Sequence, residues 1–176
     1  MTPEELSAQL RGVSEPDLTR RRGVVVLSLA AIAALTPVAL YQMGLLKHLP
    51  EPPLPRLNAD EVDAAPEAYK LLSMPDAVLG IGSYAATMAL AAMGGADRAH
   101  TQPWIPLLLA GKALVDTANA GRLSWDQWAK HRAFCFWCML AAVATWGSLP
   151  LVVPEARRAW RHLADARNGT PPWDRR

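Results

Sequence analysis

The stretch Phe134-Cys-Phe-Trp-Cys-Met-Leu-Ala-Ala-Val-Ala-Thr-Trp-Gly-Ser-Leu-Pro-Leu-Val-Val153 decides the reading of this chain. It carries no charge, and its length of about 20 residues is what a helix needs to cross the hydrocarbon core of a bilayer. Cys135 and Cys138, the only two cysteines of the chain, stand at its lip. A Cys-x-x-Cys pair there places thiol chemistry where water meets lipid. A lipid-soluble electron carrier such as a quinone can reach that depth.

Three further apolar stretches, Gly23–Leu46, Ala77–Gly95 and Trp104–Gly121, have comparable length and are separated by polar, Pro-rich or charged segments. The pattern predicts an all-α integral-membrane four-helix bundle with an extracytoplasmic loop that holds a short helix. It divides the chain into a polar segment over 1–22, a transmembrane domain over 23–154 and a basic cytoplasmic tail over 155–176. The first stretch follows a long polar lead and lacks a small-residue cleavage site, so it reads as a retained anchor. A formal charge of +2 points to no nucleic-acid partner. Arg20, Arg21 and Arg22 abut the first span, and Arg157, Arg158, Arg161 and Arg167 follow the last. The loop Lys47–Asp76 is acidic on balance. The positive-inside bias therefore puts both termini in the cytoplasm and the cysteines at the outer face, where disulfides persist. The loop bearing Arg122, Lys130 and Arg132 runs against this assignment. Abundant Ala and Arg point to a bacterial cytoplasmic membrane.

Pro3–Arg11 reads as helical, and Thr36-Pro37 predicts a kink in the first span. His48-Leu-Pro-Glu-Pro-Pro-Leu-Pro cannot be regular helix and is expected to lie extended over the outer surface. Asn58–Leu72 reads as one short helix capped by Asn58, with Val62, Ala65, Tyr69 and Leu72 on its apolar side. The second span is rich in small residues and ends at Gly94-Gly95. The third is expected to extend past Arg122 to Trp128, and the tail from Glu155 to form a separate basic helix. Asn168-Gly-Thr matches a glycosylation acceptor by pattern alone.

On a helix, Cys135 and Cys138 share one face and can close a small-loop disulfide. Cys135 falls in the first turn, where the helix dipole favours a thiolate, and Lys130, His131 and Arg132 push the same way. Cys138 lies one turn deeper, among Phe134, Trp137, Met139 and Leu140, where a planar apolar ring can dock. Two buried structural cysteines are the alternative. No histidine follows Cys138, so covalent haem does not fit. His48, His100, His131, His162 and the carboxylates have no spacing suited to zinc, so no metal is expected. His131 is either a proton or charge support for the pair or merely interfacial. Lys112 and Asp116, four apart inside the third span, either pair along one helix face or mark a proton route.

These features resemble the vitamin K epoxide reductase family. Phe134-Cys-Phe-Trp-Cys-Met-Leu is similar to that family's motif at the outer start of its fourth span. Leu72-Ser-Met-Pro-Asp-Ala-Val-Leu-Gly-Ile-Gly-Ser-Tyr resembles its entry into the second span, and the similarity runs from about His48 to Pro154. The resemblance implies a membrane thiol:quinone oxidoreductase supporting disulfide formation, with a menaquinone- or ubiquinone-type acceptor. Cys138 would face the quinone, and Cys135 would exchange with a thioredoxin-like extracytoplasmic partner. Asp76 stands where family members often carry an asparagine that hydrogen-bonds a quinone oxygen, and would have to be protonated to donate. Ala142 replaces a tyrosine of some animal members. The loop Lys47–Met74 lacks the two relay cysteines that members usually have, so either a partner reaches Cys135 directly or the chain is a redox-inactive membrane scaffold or partner subunit.

Overall fold

A backbone that crosses hydrocarbon must satisfy its own amides, and helices do so within one segment. The computed structural model describes residues 2–12 and 15–167, so the Asn168-Gly-Thr pattern lies outside the described residues. Within them the fold is all-α. Seven helices follow in order: α1 (Pro3–Gly12), α2 (Pro16–Gln42), α3 (Ala59–Asp63), α4 (Asp76–Ala92), α5 (Arg98–Thr101), α6 (Trp104–His131) and α7 (Phe136–Arg167), with a 3-10 turn at Pro66–Tyr69. Two of them, α2 and α7, are long and apolar enough to cross a membrane. The apolar α4 has 17 residues, which at about 1.5 Å per residue gives about 25 Å.

Helix α2 packs along both α4 and α7, while α6 lies against α7 and more lightly against α4. The chain runs up and down, so the ends of α2 and α6 and the starts of α4 and α7 gather at one end of the bundle. Ala31, Leu35, Val38, Ala77, Ala141 and Ala144 form the core near that end, and Val24, Ala91, Leu109, Ala113 and Val152 the core near the other. Small residues bring α2 and α4 together: a Cβ on Gly80 would stand 2.7 Å from the Leu35 side chain. Lys112 and Asp116 do pair along α6, and the Lys112 ammonium also donates to Ser83 Oγ on α4 at 2.8 Å. That bridge makes a polar turn of α6 part of the packing.

Three elements differ from the sequence expectation. The triple arginine lies inside α2, which starts at Pro16: Arg20 pairs with Asp17 at 3.1 Å, Arg22 donates to the Leu10 carbonyl, and Arg21 turns into the bundle. The loop helix is two short pieces, because Pro66 lacks an N–H and Ala65 before it is extended (φ −63°, ψ 144°). Its Asn58 cap is present, accepting from the Glu61 N–H at 3.2 Å. The last span and the basic segment form one continuous helix, α7, running through Pro150 and Pro154. Each proline removes only one backbone hydrogen bond from a helix packed on two neighbours.

The end of α4 away from the cysteines is locked by two buried arginines. Arg21 donates to the carbonyls of Ala91 (2.8 Å) and Gly95 (2.9 Å), and to those of Met93 and Gly94 (3.0 Å each). Arg98 donates to the Leu90 (2.7 Å) and Met93 (2.6 Å) carbonyls and forks onto Glu155 at 2.7 and 2.8 Å. Gly94 turns the chain with φ +80°, where a Cβ would meet Gln102 Oε1 at 2.9 Å. Removing the carboxylate alone leaves a guanidinium buried without its counter-charge. Glu155→Gln is therefore expected to destabilise the fold by about 3–5 kcal/mol, read as a lowered thermal midpoint of the detergent-solubilised protein.

Candidate functional site

Helix α7 begins at Phe136, and Cys135 is its cap rather than part of its first turn. The Cys135 carbonyl accepts from the Met139 N–H at 3.0 Å, and its Sγ accepts from the Cys138 N–H at 3.2 Å. The sulfur thus does what a serine or aspartate oxygen does at other helix starts. Gln127 on α6 accepts the Cys135 N–H at 3.0 Å. The Pro-rich segment crosses directly over this point. Phe134 and Leu57 form an isolated parallel bridge, with Phe134 N–H on the Arg56 carbonyl at 2.8 Å and Asn58 N–H on the Phe134 carbonyl at 3.1 Å. Cys135 beneath this strap is 0% exposed.

The basic residues before the pair do not turn towards the sulfurs. Lys130 reaches Asp126 (3.7 Å) and Glu67 (4.0 Å), and His131 lies 3.8 Å from Glu61. The Arg132 guanidinium sits over the Trp128 ring at 5.3 Å, with Arg56 over the same ring at 5.2 Å. Each of these basic side chains has an acidic or aromatic neighbour of its own. Trp137 also departs from expectation: its indole N–H donates to the Pro50 carbonyl at 2.8 Å, which ties the strap down. It is not part of the cavity that Cys138 lines.

The ionisable group that does meet the pair comes from α3. Cys138 Sγ donates to Asp63 Oδ1 at 3.4 Å, and one oxygen of Asp63 and both sulfurs lie within 4.8 Å of one another. Asp63 is 3% exposed, and its Oδ2 has no hydrogen-bond partner. Burial pushes the carboxyl up from its ordinary 3.8 to about 6; hydrogen bonds from the two thiols pull it down, and the charges of Asp76 and Glu51 push it up. Sequence reasoning counted Asp63 only as loop charge. The available signal was its place four residues after Ala59, which puts both on one face of a helix, and Ala59 is buried.

Gln42, the last residue of α2, was also missed. Its amide donates to Asp76 Oδ1 at 2.7 Å and its carbonyl oxygen accepts from the Ala77 N–H at 3.2 Å. It thereby caps α4 and holds the Asp76 carboxylate in place. Behind Cys138 opens a cavity of about 660 Å³, whose walls include Asp76, Tyr84, Thr145, His131, Leu35 and Gly80. Tyr84 is held by the Ala141 carbonyl (3.0 Å) and the Thr145 hydroxyl (2.6 Å). The size is that of a small-molecule site, mostly apolar with a few fixed polar groups.

Comparison with known proteins agrees with this geometry. The model of the vitamin K epoxide reductase family matches residues 23–153. The chain belongs to that family, whose members are membrane helical bundles and in general quinone-dependent oxidoreductases. No curated protein and no solved structure matches the chain.

The buried carboxyl couples stability to pH. A carboxyl whose value rises from 3.8 unfolded to about 6 folded binds its proton more tightly in the native state. The stabilisation is complete below pH 3.8 and is lost as pH rises through about 6. It amounts to about 3 kcal/mol at about 1.4 kcal/mol per unit. The wild-type thermal midpoint is expected to fall between pH 4 and 6.5 by more than that of Asp63→Asn, measured side by side in one detergent.

Proposed function

We propose that this protein is a thiol:quinone oxidoreductase of a bacterial cytoplasmic membrane, with α2, α4, α6 and α7 as four spans, both termini cytoplasmic and the cysteine pair at the outer face. The single observation that carries the reading is Cys138 Sγ in the wall of a largely apolar cavity, one turn from Cys135 at the cap of a membrane-length helix. A quinone ring fits the cavity's volume and lining. Asp76, held by Gln42, and the Tyr84–Thr145 pair are the polar groups that would orient it. A quinone in that cavity supplies a two-electron, two-proton acceptor of menaquinone or ubiquinone type.

The chain's own chemistry is dithiol oxidation. Cys135 and Cys138 together lose two electrons and two protons as their S–S bond forms, and both electrons and protons pass to the quinone, giving quinol. A partner dithiol, thioredoxin-like and extracytoplasmic, then opens the bond by exchange at Cys135 and departs as a disulfide. The family's usual loop cysteines are absent, so the partner meets Cys135 itself. With Cys135 fully buried, that meeting requires the Pro50–Asn58 strap to lift, which costs the Leu57–Phe134 bridge and the Trp137–Pro50 hydrogen bond. His131, paired towards Glu61, serves as local charge at the cavity rim.

Reduced protein mixed with a membrane quinone is expected to close a Cys135–Cys138 disulfide, seen as loss of two alkylation mass shifts. Cys138→Ser and Cys135→Ser are each expected to lower quinol formation by at least about 10³-fold, because no second thiol remains to complete the bond. Full quinol formation by Cys138→Ser would overturn the assignment. Thiols that stay free while the quinone stays oxidised would favour the scaffold reading.

A further inference from the structure

We infer that Asp63 is the proton acceptor for the Cys138 thiol, and the proton donor to the same sulfur when the disulfide is opened. This deepens the reading above and rests on it for the identity of the oxidant. The thiol of Cys138 has few routes for its proton. Its hydrogen bond runs to Asp63 Oδ1 at 3.4 Å. The same carboxylate lies within 4.8 Å of the Cys135 sulfur, so one group serves both sulfurs in turn. Asp63 is buried, and Oδ2 is unpartnered. A carboxylate held there with one oxygen free can take a proton without breaking any other bond.

Asp63 is also held firmly from behind. Its carbonyl accepts from the Gln42 amide at 3.5 Å, and α3 is fixed by the Asn58 cap and by the Glu51 carboxylate on the Ala59 N–H at 2.8 Å. The groups that face it are Cys135 and Cys138 from α7, Asp76 from α4, Glu51 from the strap and Tyr41 from α2. None of these is a fixed cation, so no standing positive charge neutralises the carboxylate. Burial and the neighbouring acids place its titration near pH 6, which leaves it ionised, and able to accept, at neutral pH.

Written as a step, the S–H bond of Cys138 breaks and an O–H bond forms on Asp63. The freed sulfur pair delivers two electrons to the quinone as the S–S bond forms. Asp63 passes that proton through the cavity to the reduced quinone and then carries the Cys135 thiol proton the same way, so that two electrons and two protons arrive as quinol. In the reverse sense, the proton released by the attacking partner thiol is taken up on Asp63 and passed to the departing Cys138 sulfur.

The test uses full-length reduced protein in lipid nanodiscs, wild type against Asp63→Asn, across pH 5–8.5. The first readout is the rate of iodoacetamide alkylation at Cys138, located by mass. The second is the rate of Cys135–Cys138 closure, driven in one series by a soluble quinone analogue and in a parallel series by diamide. Without the carboxylate the Cys138 thiol has no group to take its proton, so Cys138 in Asp63→Asn is expected to alkylate several-fold more slowly at pH 7. Closure is expected to slow on the order of 10²-fold with either oxidant, and to lose the wild-type rise through about pH 6. Slowing of both rates is what loss of a proton acceptor produces; loss of a mere neighbouring charge favours the thiolate, and loosened packing exposes the thiol, so either of those speeds alkylation. Closure in Asp63→Asn at the wild-type rate with diamide, or alkylation that is unchanged or faster, overturns the proposal. If wild type closes with diamide but never with quinone, the quinone reading falls, and the diamide series still decides for or against Asp63.

Discussion

Carbonyls freed at a buried helix end have no water to turn to, and the answer given to those of α4 holds the rest of the molecule in register. Arg21 and Arg98 gather the carbonyls from Leu90 to Gly95, and Arg98 forks onto Glu155 of α7. One polar knot therefore joins α2, α4, α5 and α7. In a low-dielectric setting such a knot is costly to half-fill and stable only when complete. Because α2 and α4 are pinned there and separated only by small side chains near Gly80, their far ends are delivered to fixed positions. Gln42 at the end of α2 then lies within hydrogen-bond reach of Asp76 at the start of α4.

The reactive end is assembled from pieces that have no strong helical preference of their own. The strap is too rich in proline to form a ladder, so it contributes one bridge to Phe134 and one carbonyl to Trp137. Its role is positional. It carries the chain across Cys135 and brings α3 down with Asp63 facing the sulfurs. The site thus has an open side, the largely apolar cavity behind Cys138, and a covered side, the strap over Cys135, with the carboxylate between them.

Much of the architecture was legible in the sequence because it rests on lengths and periodicities. The apolar runs located α2, α4 and α7, and Asn58 located the start of α3. Helix α6 was harder because Lys112 and Asp116 interrupt its apolar character, and only their bonding to each other and to Ser83 shows how the interruption is absorbed. The site was legible in its sulfurs and not in its surroundings. A count of charges before Cys135 could not show that Lys130, His131 and Arg132 each have another partner. Trp137 stands next to Cys138 in sequence but about 100° around the helix, on the side where the Pro50 carbonyl needed a donor. Asp63 belongs to a loop whose path is set by long-range contacts, and its four-residue spacing from Ala59 says which face it shares but not that this face meets the sulfurs.

The cap at the start of α7 links the helix to electron transfer in one further way. Cys135 Sγ accepts the Cys138 N–H, and a sulfur accepts best when it carries negative charge. Committing one of its bonding directions to a disulfide weakens it in that role. The intact cap therefore favours the reduced pair over the oxidised one. An N-terminal cap is worth about 1 kcal/mol, which in a two-electron couple is about 20 mV. On the proposed redox reading, the first turn of a structural helix would thus become part of the pair's redox poise, making it a stronger oxidant through a single backbone amide.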